Sequence, residues 1–123
     1  MNNYFEIDEL RDIYLEDSFV LSILELDNEI RYEIEFVLTE NHPHYSMPSS
    51  NERYCYKKGF LIFQGVKDLV WKHRNMTSFL DAKNEIDYGH IDYFNFIGHN
   101  FKLNGDWGSI MFYSTSVVLI FSS

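Results

Sequence analysis

Residues 19–38 constrain this chain more than any other stretch. Phe19, Leu21 and Ile23 alternate with Val20, Ser22 and Leu24, and Ile30, Tyr32, Ile34, Phe36 and Leu38 alternate with Arg31, Glu33, Glu35 and Val37. Side chains on a strand point to opposite faces in turn, so this spacing describes two half-buried strands and no helix. Asp27-Asn28 lies between them. Both residue types tolerate the positive φ of a tight hairpin turn. A two-residue loop there pairs Ile23 with Tyr32, Leu21 with Ile34 and Phe19 with Phe36. Those six residues are expected to share one buried face. The opposite face then carries Val20, Ser22 and Leu24 beside Arg31, Glu33 and Glu35.

The remainder reads as further short strands. Residues 39–52 hold both prolines, Pro43 and Pro48, and read as a long loop. Residues 53–63 return to a strand pattern, with a bulge or bend expected at Gly59. Residues 66–71 and 88–97 follow as strands, separated by a polar connection over 75–85. Gly98-His99-Asn100 turns the chain, and Asn104-Gly105 is a hairpin signal between 101–103 and 110–113. Residues 117–121 close the chain as a buried strand. Residues 3–10 form at most a short helix or an irregular segment. Strands divided by turn signals, without helical periods between them, predict an all-β, mainly antiparallel sandwich or partly closed barrel. One domain is expected over residues 1–123. Aromatic residues at 18% of the chain supply a core and argue against disorder.

Charge is distributed unevenly. Residues 1–40 carry twelve acids against two bases, a net of −10, and residues 41–123 carry seven acids against eight bases, a net of +1. The total of −9 makes nucleic acid an unfavourable partner. A basic protein is the complementary partner, and a solvated acidic face that aids solubility is the plain alternative. Cys55 stands alone, which excludes an internal disulfide and a multi-cysteine zinc site. The first seventeen residues lack a basic segment leading into an apolar run, and residues 117–121 are too few to span a bilayer. The expectation is a reduced, cytoplasmic setting without membrane contact.

Three local patterns bear on chemistry. His42-Pro43-His44 offers two imidazoles to a metal but lacks a recognised ligand spacing such as H-E-x-x-H, and a loop stiffened by proline explains it equally. His90 and Asp92 share a face if 87–92 is a strand, and a carboxylate beside an imidazole can orient it for proton transfer. No nucleophile elbow accompanies them among Ser109, Ser114 and Ser116. Asn104-Gly105-Asp106-Trp107-Gly108 lacks the G-x-G-x-x-G spacing and the following helix of a dinucleotide loop, so it reads as a hairpin with Trp107 on the return strand. Cys55 between Tyr54 and Tyr56 reads as a small buried apolar residue. Basic residues beside Tyr54 and Tyr56 offer stacking and charge for single-stranded nucleic acid, but cross-strand tyrosine pairs account for them within an acidic chain. No catalytic residue set, no cofactor and no metal site are assigned.

The run Leu15-Glu16-Asp17-Ser18-Phe19-Val20-Leu21-Ser22-Ile23, followed by the strand over 30–36, resembles the opening of small bacterial β-proteins in which an acid-Asp-Ser triplet leads into a first hairpin. Tyr56-Lys57-Lys58-Gly59-Phe60-Leu61-Ile62-Phe63, with Val66 and Trp71, resembles their middle strands. Some members of that group resemble immunity proteins of polymorphic-toxin systems. The resemblance covers residues 12–38 and 54–71, and implies a β-rich fold with a protein-binding role. Two functional expectations follow. One is a non-enzymatic, immunity-type inhibitor that binds a basic toxin or nuclease through Glu16, Asp17, Glu33 and Glu35. The other is a small enzyme or ligand-binding barrel with a pocket near His90, Asp92 and Trp107. A homodimer subunit of purely structural role is a third reading.

Overall fold

The computed structural model describes residues 2–48, 50–76, 78–80 and 85–122, with Phe79 described by its backbone alone. Strand β1 (Asn2–Asn3) leads into two 3-10 turns, Tyr4–Glu6 and Asp8–Leu10. The long hairpin follows as β2 (Ile13–Leu26) and β3 (Glu29–Leu38). Then come β4 (Cys55–Gln64), β5 (Lys67–Arg74), and the two-residue strands β6 (Phe79–Leu80) and β7 (Ile86–Asp87). The last strands are β8 (Ile91–Ile97), β9 (Asn100–Gly105), β10 (Gly108–Tyr113) and β11 (Ser116–Phe121). Of the connection expected over 75–85, residues 77 and 81–84 lie outside the described residues.

Two antiparallel sheets face each other, one ordered β1-β8-β9-β10-β5 and the other β11-β4-β3-β2, with β6 and β7 as a small separate pair. The packing is that of a sandwich, and the described strands do not close into a barrel. The core between the sheets is aromatic. Phe63 meets Phe94, Phe101 and Phe112 at 5.9, 5.3 and 4.8 Å between ring centroids. Tyr32 meets Trp107 edge-on at 5.3 Å. Such edge-to-face pairs add to the free energy already gained by removing the rings from water.

The β2–β3 hairpin turns at Asp27-Asn28, and Ile23 lies opposite Tyr32, as alternation predicts. Further along, β2 departs from that register. Val20, not Leu21, lies opposite Ile34, with Leu21 as the extra residue of a bulge. A second irregularity sets residues 15–18 against Phe36 alone, since Tyr14 pairs with Val37 and Phe19 with Glu35. Each bulge changes which side of the strand faces inward. Ile13, Leu15, Ser18 and Val20 are therefore buried on β2, while Phe19, Leu21 and Ile23 are only partly so. The expected buried set keeps its β3 half, Tyr32, Ile34 and Phe36, each fully buried, and loses part of its β2 half.

Ser18 holds the larger bulge in place. Its Oγ–H donates to the Tyr14 carbonyl at 2.8 Å, and its Oγ accepts the Val37 N–H at 3.0 Å, replacing a lost ladder bond. Beyond the bulge, β2 turns its outer edge to the segment between β7 and β8. The Val20 N–H donates to the Gly89 carbonyl and the Tyr88 N–H to the Val20 carbonyl, both at 2.8 Å.

Three other local expectations are corrected. β4 runs through Gly59 without a bulge against both neighbours. Glycine is needed there because a Cβ would lie 2.5 Å from the Ile120 carbonyl oxygen. The β9–β10 hairpin turns at Asp106-Trp107, two residues later than Asn104-Gly105, and Gly105 pairs with Gly108. Trp107 is drawn inward and fully buried, its Nε1–H donating to the His90 carbonyl at 3.1 Å. Gly105 has no side chain to obstruct that indole or the carbonyl. Finally, β11 is an edge strand with Ile120 half exposed, where a buried strand is expected from its composition.

Candidate protein-binding face

The outer face of the β11-β4-β3-β2 sheet can be read off its registers. Leu24, Arg31, Ile62 and Val118 form one cross-strand row. Ser22, Glu33, Phe60 and Ile120 form the next, followed by Phe19, Glu35 and Lys58, and then Tyr14, Val37 and Tyr56. Glu33 and Glu35 thus stand on one face, two residues apart, as alternation along β3 requires. The Ser22 hydroxyl donates to Glu33 Oε1 at 3.3 Å. Lys58 lies opposite Glu35 in the register.

Aromatic side chains adjoin these acids. The Tyr56 ring lies 6.3 Å from Phe19 and 6.1 Å from Tyr54, the latter at right angles, and the Arg53 guanidinium lies 5.6 Å from the centre of the Tyr54 ring. The Tyr56 phenol is pushed up from its ordinary value of 10.0, first by partial burial, then by Glu35, Tyr54, Glu52 and Asp17. Three carboxylates from three segments, the β2 bulge, β3 and the loop before β4, therefore act on one phenol. Each opposes a further negative charge at that point, and each favours a positive one.

Asp17 belongs to this group and Glu16 does not. Glu16 accepts the hydrogen bond of the Tyr4 hydroxyl, whose oxygen accepts the Leu15 N–H at 3.3 Å and lies 3.3 Å from the Ile13 carbonyl oxygen. Tyr4 is pushed up by burial and by Glu16, and more weakly by Asp17. The bulge thus sends successive acids to different surroundings. Of the four acids named from sequence, Glu35 and Asp17 act on Tyr56, Glu33 stands two residues from Glu35 on the same face beside Ser22 and Phe60, and Glu16 is held against the N-terminal turn. Sequence reading did not connect Phe19, Glu52, Tyr54 and Tyr56 to the acids. The alternation of Tyr54 and Tyr56 about the buried Cys55 was the one local signal of an outward tyrosine pair.

His90 and Trp107 meet, but as a clasp. The His90 Nδ1–H donates to the Ser18 carbonyl at 2.8 Å, its ring lies 4.6 Å from Phe19, and its backbone N–H reaches Asp106 Oδ2 at 3.3 Å. Trp107 is inaccessible to solvent. Asp92 is exposed on β8, and no hydrogen bond or ion pair joins it to His90 among the described residues. A cleft of about 360 Å³ lies elsewhere, between Tyr14, Leu38, Tyr45, Pro48, Arg53 and Tyr54.

His42 and His44 lie with their rings 5.6 Å apart, both against Phe121, and the His44 N–H donates to His42 Nδ1 at 3.0 Å. That bond occupies one of the four imidazole nitrogens. The described residues contain no group of three or more His, Cys, Asp or Glu side chains arranged to hold a metal ion. Cys55 is buried, with the Ser46 N–H 3.4 Å from its sulfur. No helix among the described residues is long and apolar enough to cross a membrane. Comparisons with protein-family models, with curated proteins and with solved structures returned no match.

Proposed function

We propose that this chain is a non-enzymatic binding domain for a basic protein, acting as an immunity-type inhibitor of a basic toxin or nuclease. The observation that supports this reading is a sheet face on which Glu33 and Glu35 stand in register with Ser22 and Phe19, with the Tyr56 ring 6.3 Å from Phe19; Glu35, Glu52 and Asp17 all raise the Tyr56 phenol. Asp17 is exposed and Glu33, Glu35 and Glu52 are half-buried, and carboxylates at a sheet surface steer a cationic partner to the face and select against acidic ones. Tyrosines with few rotatable bonds supply contact area at low entropic cost, and their rings accept arginine and lysine heads. Residual Lys58 and Arg53 on the same face set the register of docking by repelling misplaced cations. The net charge of −9 extends the attraction beyond the contact itself.

The test is co-expression with the product of the adjacent gene, purification of the complex, and association kinetics at two salt concentrations. The double variant Glu33→Lys/Glu35→Lys is expected to slow association at least about tenfold and to weaken its salt dependence, with the fold intact. A verified complex whose association is indifferent to this double reversal would move the interface off the β3 face. Turnover of a small molecule, with no complex formed, would overturn the binding reading itself.

A further inference from the structure

The connection from β3 to β4 walls the cleft of about 360 Å³ at the end of the β11-β4-β3-β2 sheet. Its base is apolar: Leu38 and Cys55 are cross-strand partners, and both are buried. Tyr14, Tyr45, Pro48 and Tyr54 line it above them. A connection of this length is long for a compact domain, yet this one is tied down. The Thr39 N–H donates to the Asp12 carbonyl and the Tyr45 N–H to the His42 carbonyl, both at 3.0 Å. The Ser46 N–H lies 3.4 Å from the Cys55 sulfur, and the His42 and His44 rings pack on Phe121 of β11. These anchors order the wall in the free protein, which removes that cost from binding.

The cleft carries one charge of each sign. Glu40 and Arg53 are the charged side chains that line it, and neither makes an ion pair among the described residues. The Arg53 guanidinium lies over the Tyr54 ring, 5.6 Å from its centre. We propose that this cleft binds a small zwitterion, a free aromatic α-amino acid, with its carboxylate on Arg53, its ammonium on Glu40 and its ring among the tyrosines. A ligand with a single charge meets a like charge on one wall, whereas a zwitterion finds an opposite charge for each of its own. A guanidinium takes a carboxylate through two parallel N–H···O bonds, and phenol faces attract an ammonium as well as Glu40 does. Tyrosines favour an aromatic side chain, which packs edge-to-face against them. The volume lies near the lower end of the range for ligand sites, about 300–1,000 Å³, and so fits one amino acid and not a longer peptide. Such a ligand has no net charge, so the chain's −9 neither draws it in nor repels it.

The experiment is a titration of the isotope-labelled full chain, followed by the backbone amide resonances in two-dimensional NMR. L-Phenylalanine is the probe, taken to about 10 mM to cover the weak affinity that a ligand of this size commands. Saturable shifts are expected at Glu40, Asn41, Tyr45 and Tyr54. Phenethylamine lacks the carboxylate, 3-phenylpropanoate lacks the ammonium and glycine lacks the ring. Each is expected to bind at least about tenfold more weakly. Arg53→Gln is expected to abolish the preference for phenylalanine over phenethylamine, and Glu40→Gln the preference over 3-phenylpropanoate. Both substituted residues are exposed, and far-UV circular dichroism establishes that the variants fold. No saturable shift with phenylalanine overturns the proposal. So does any of the three analogues binding as tightly as phenylalanine, or a preference that survives in both variants. Glu33 and Glu35 do not line the cleft, and Glu33→Lys/Glu35→Lys is expected to leave phenylalanine binding unchanged, so this proposal and the acidic-face reading fail separately.

Discussion

Replacing Ser18 by alanine tests the device that bends β2 and separates Glu16 from Asp17. The hydroxyl is 1% exposed and makes two hydrogen bonds to backbone, at 2.8 and 3.0 Å. Alanine fits the space but leaves the Val37 N–H without its acceptor, at a residue wholly removed from water. An unsatisfied buried donor costs about 1–3 kcal/mol. The Tyr14 carbonyl lies on a residue that is nearly half exposed, so its loss falls nearer the net value of an ordinary hydrogen bond, about 0.5–1.5 kcal/mol. Together the expected loss is about 2–4 kcal/mol, a large part of the total for a domain of this size. A midpoint lower by about 8–15 °C follows from the usual unfolding entropy. The assay is urea unfolding followed by tryptophan fluorescence, since Trp107 is buried and Trp71 half-buried. An unchanged slope with a lower midpoint would report a stability change alone. A loss below about 0.5 kcal/mol would refute the reasoning, because the Val37 N–H must then find another partner and the bulge is not held by Ser18.

Tyr32→Phe is expected to be neutral or to stabilise by about 1 kcal/mol in the same assay, because its fully buried hydroxyl has no hydrogen-bond partner among the described residues. A clear loss would reveal a bonded hydroxyl. Gly59→Ala drives a Cβ against the Ile120 carbonyl and is expected to cost about 1–3 kcal/mol by thermal melting, by forcing β11 from β4. Partial burial and His44 hold His42 below its ordinary value of 6.5, so the unfolded chain takes up a proton first on acidification. Stability from this group is then complete above 6.5 and lost as pH falls toward the lowered folded value, and His42→Gln is expected to flatten that part of the pH–stability curve. Ultraviolet titration of Tyr56 is expected to run above 10.0, and Glu35→Gln to bring it part of the way back, since burial and the other acids remain.

Much of this molecule follows from the order of its residues. Alternation over 19–38 and the Asp27-Asn28 turn specify a hairpin whose short loop leaves little choice of register near the turn. The same alternation places Glu33 and Glu35 together on the outward face of β3, because parity along an unbulged strand is a local property. What lies farther from the turn was decided by tertiary structure. The bulges at residues 15–18 and 21 exist because β2 must bond to β3 on one side and reach Tyr88 and Gly89 on the other, a demand made by residues about seventy positions away. That demand buries Val20 in place of Leu21 and sends Glu16 to Tyr4. The β9–β10 turn moved past Asn104-Gly105 because burying the large Trp107 ring against Tyr32 and Trp71 outweighs the local turn preference of an Asn-Gly pair. Gly59 reads as a bulge only until the Ile120 backbone is seen beside it. β11 shows the same limit: its composition is that of a buried strand, and only the strand order places it at the edge of its sheet.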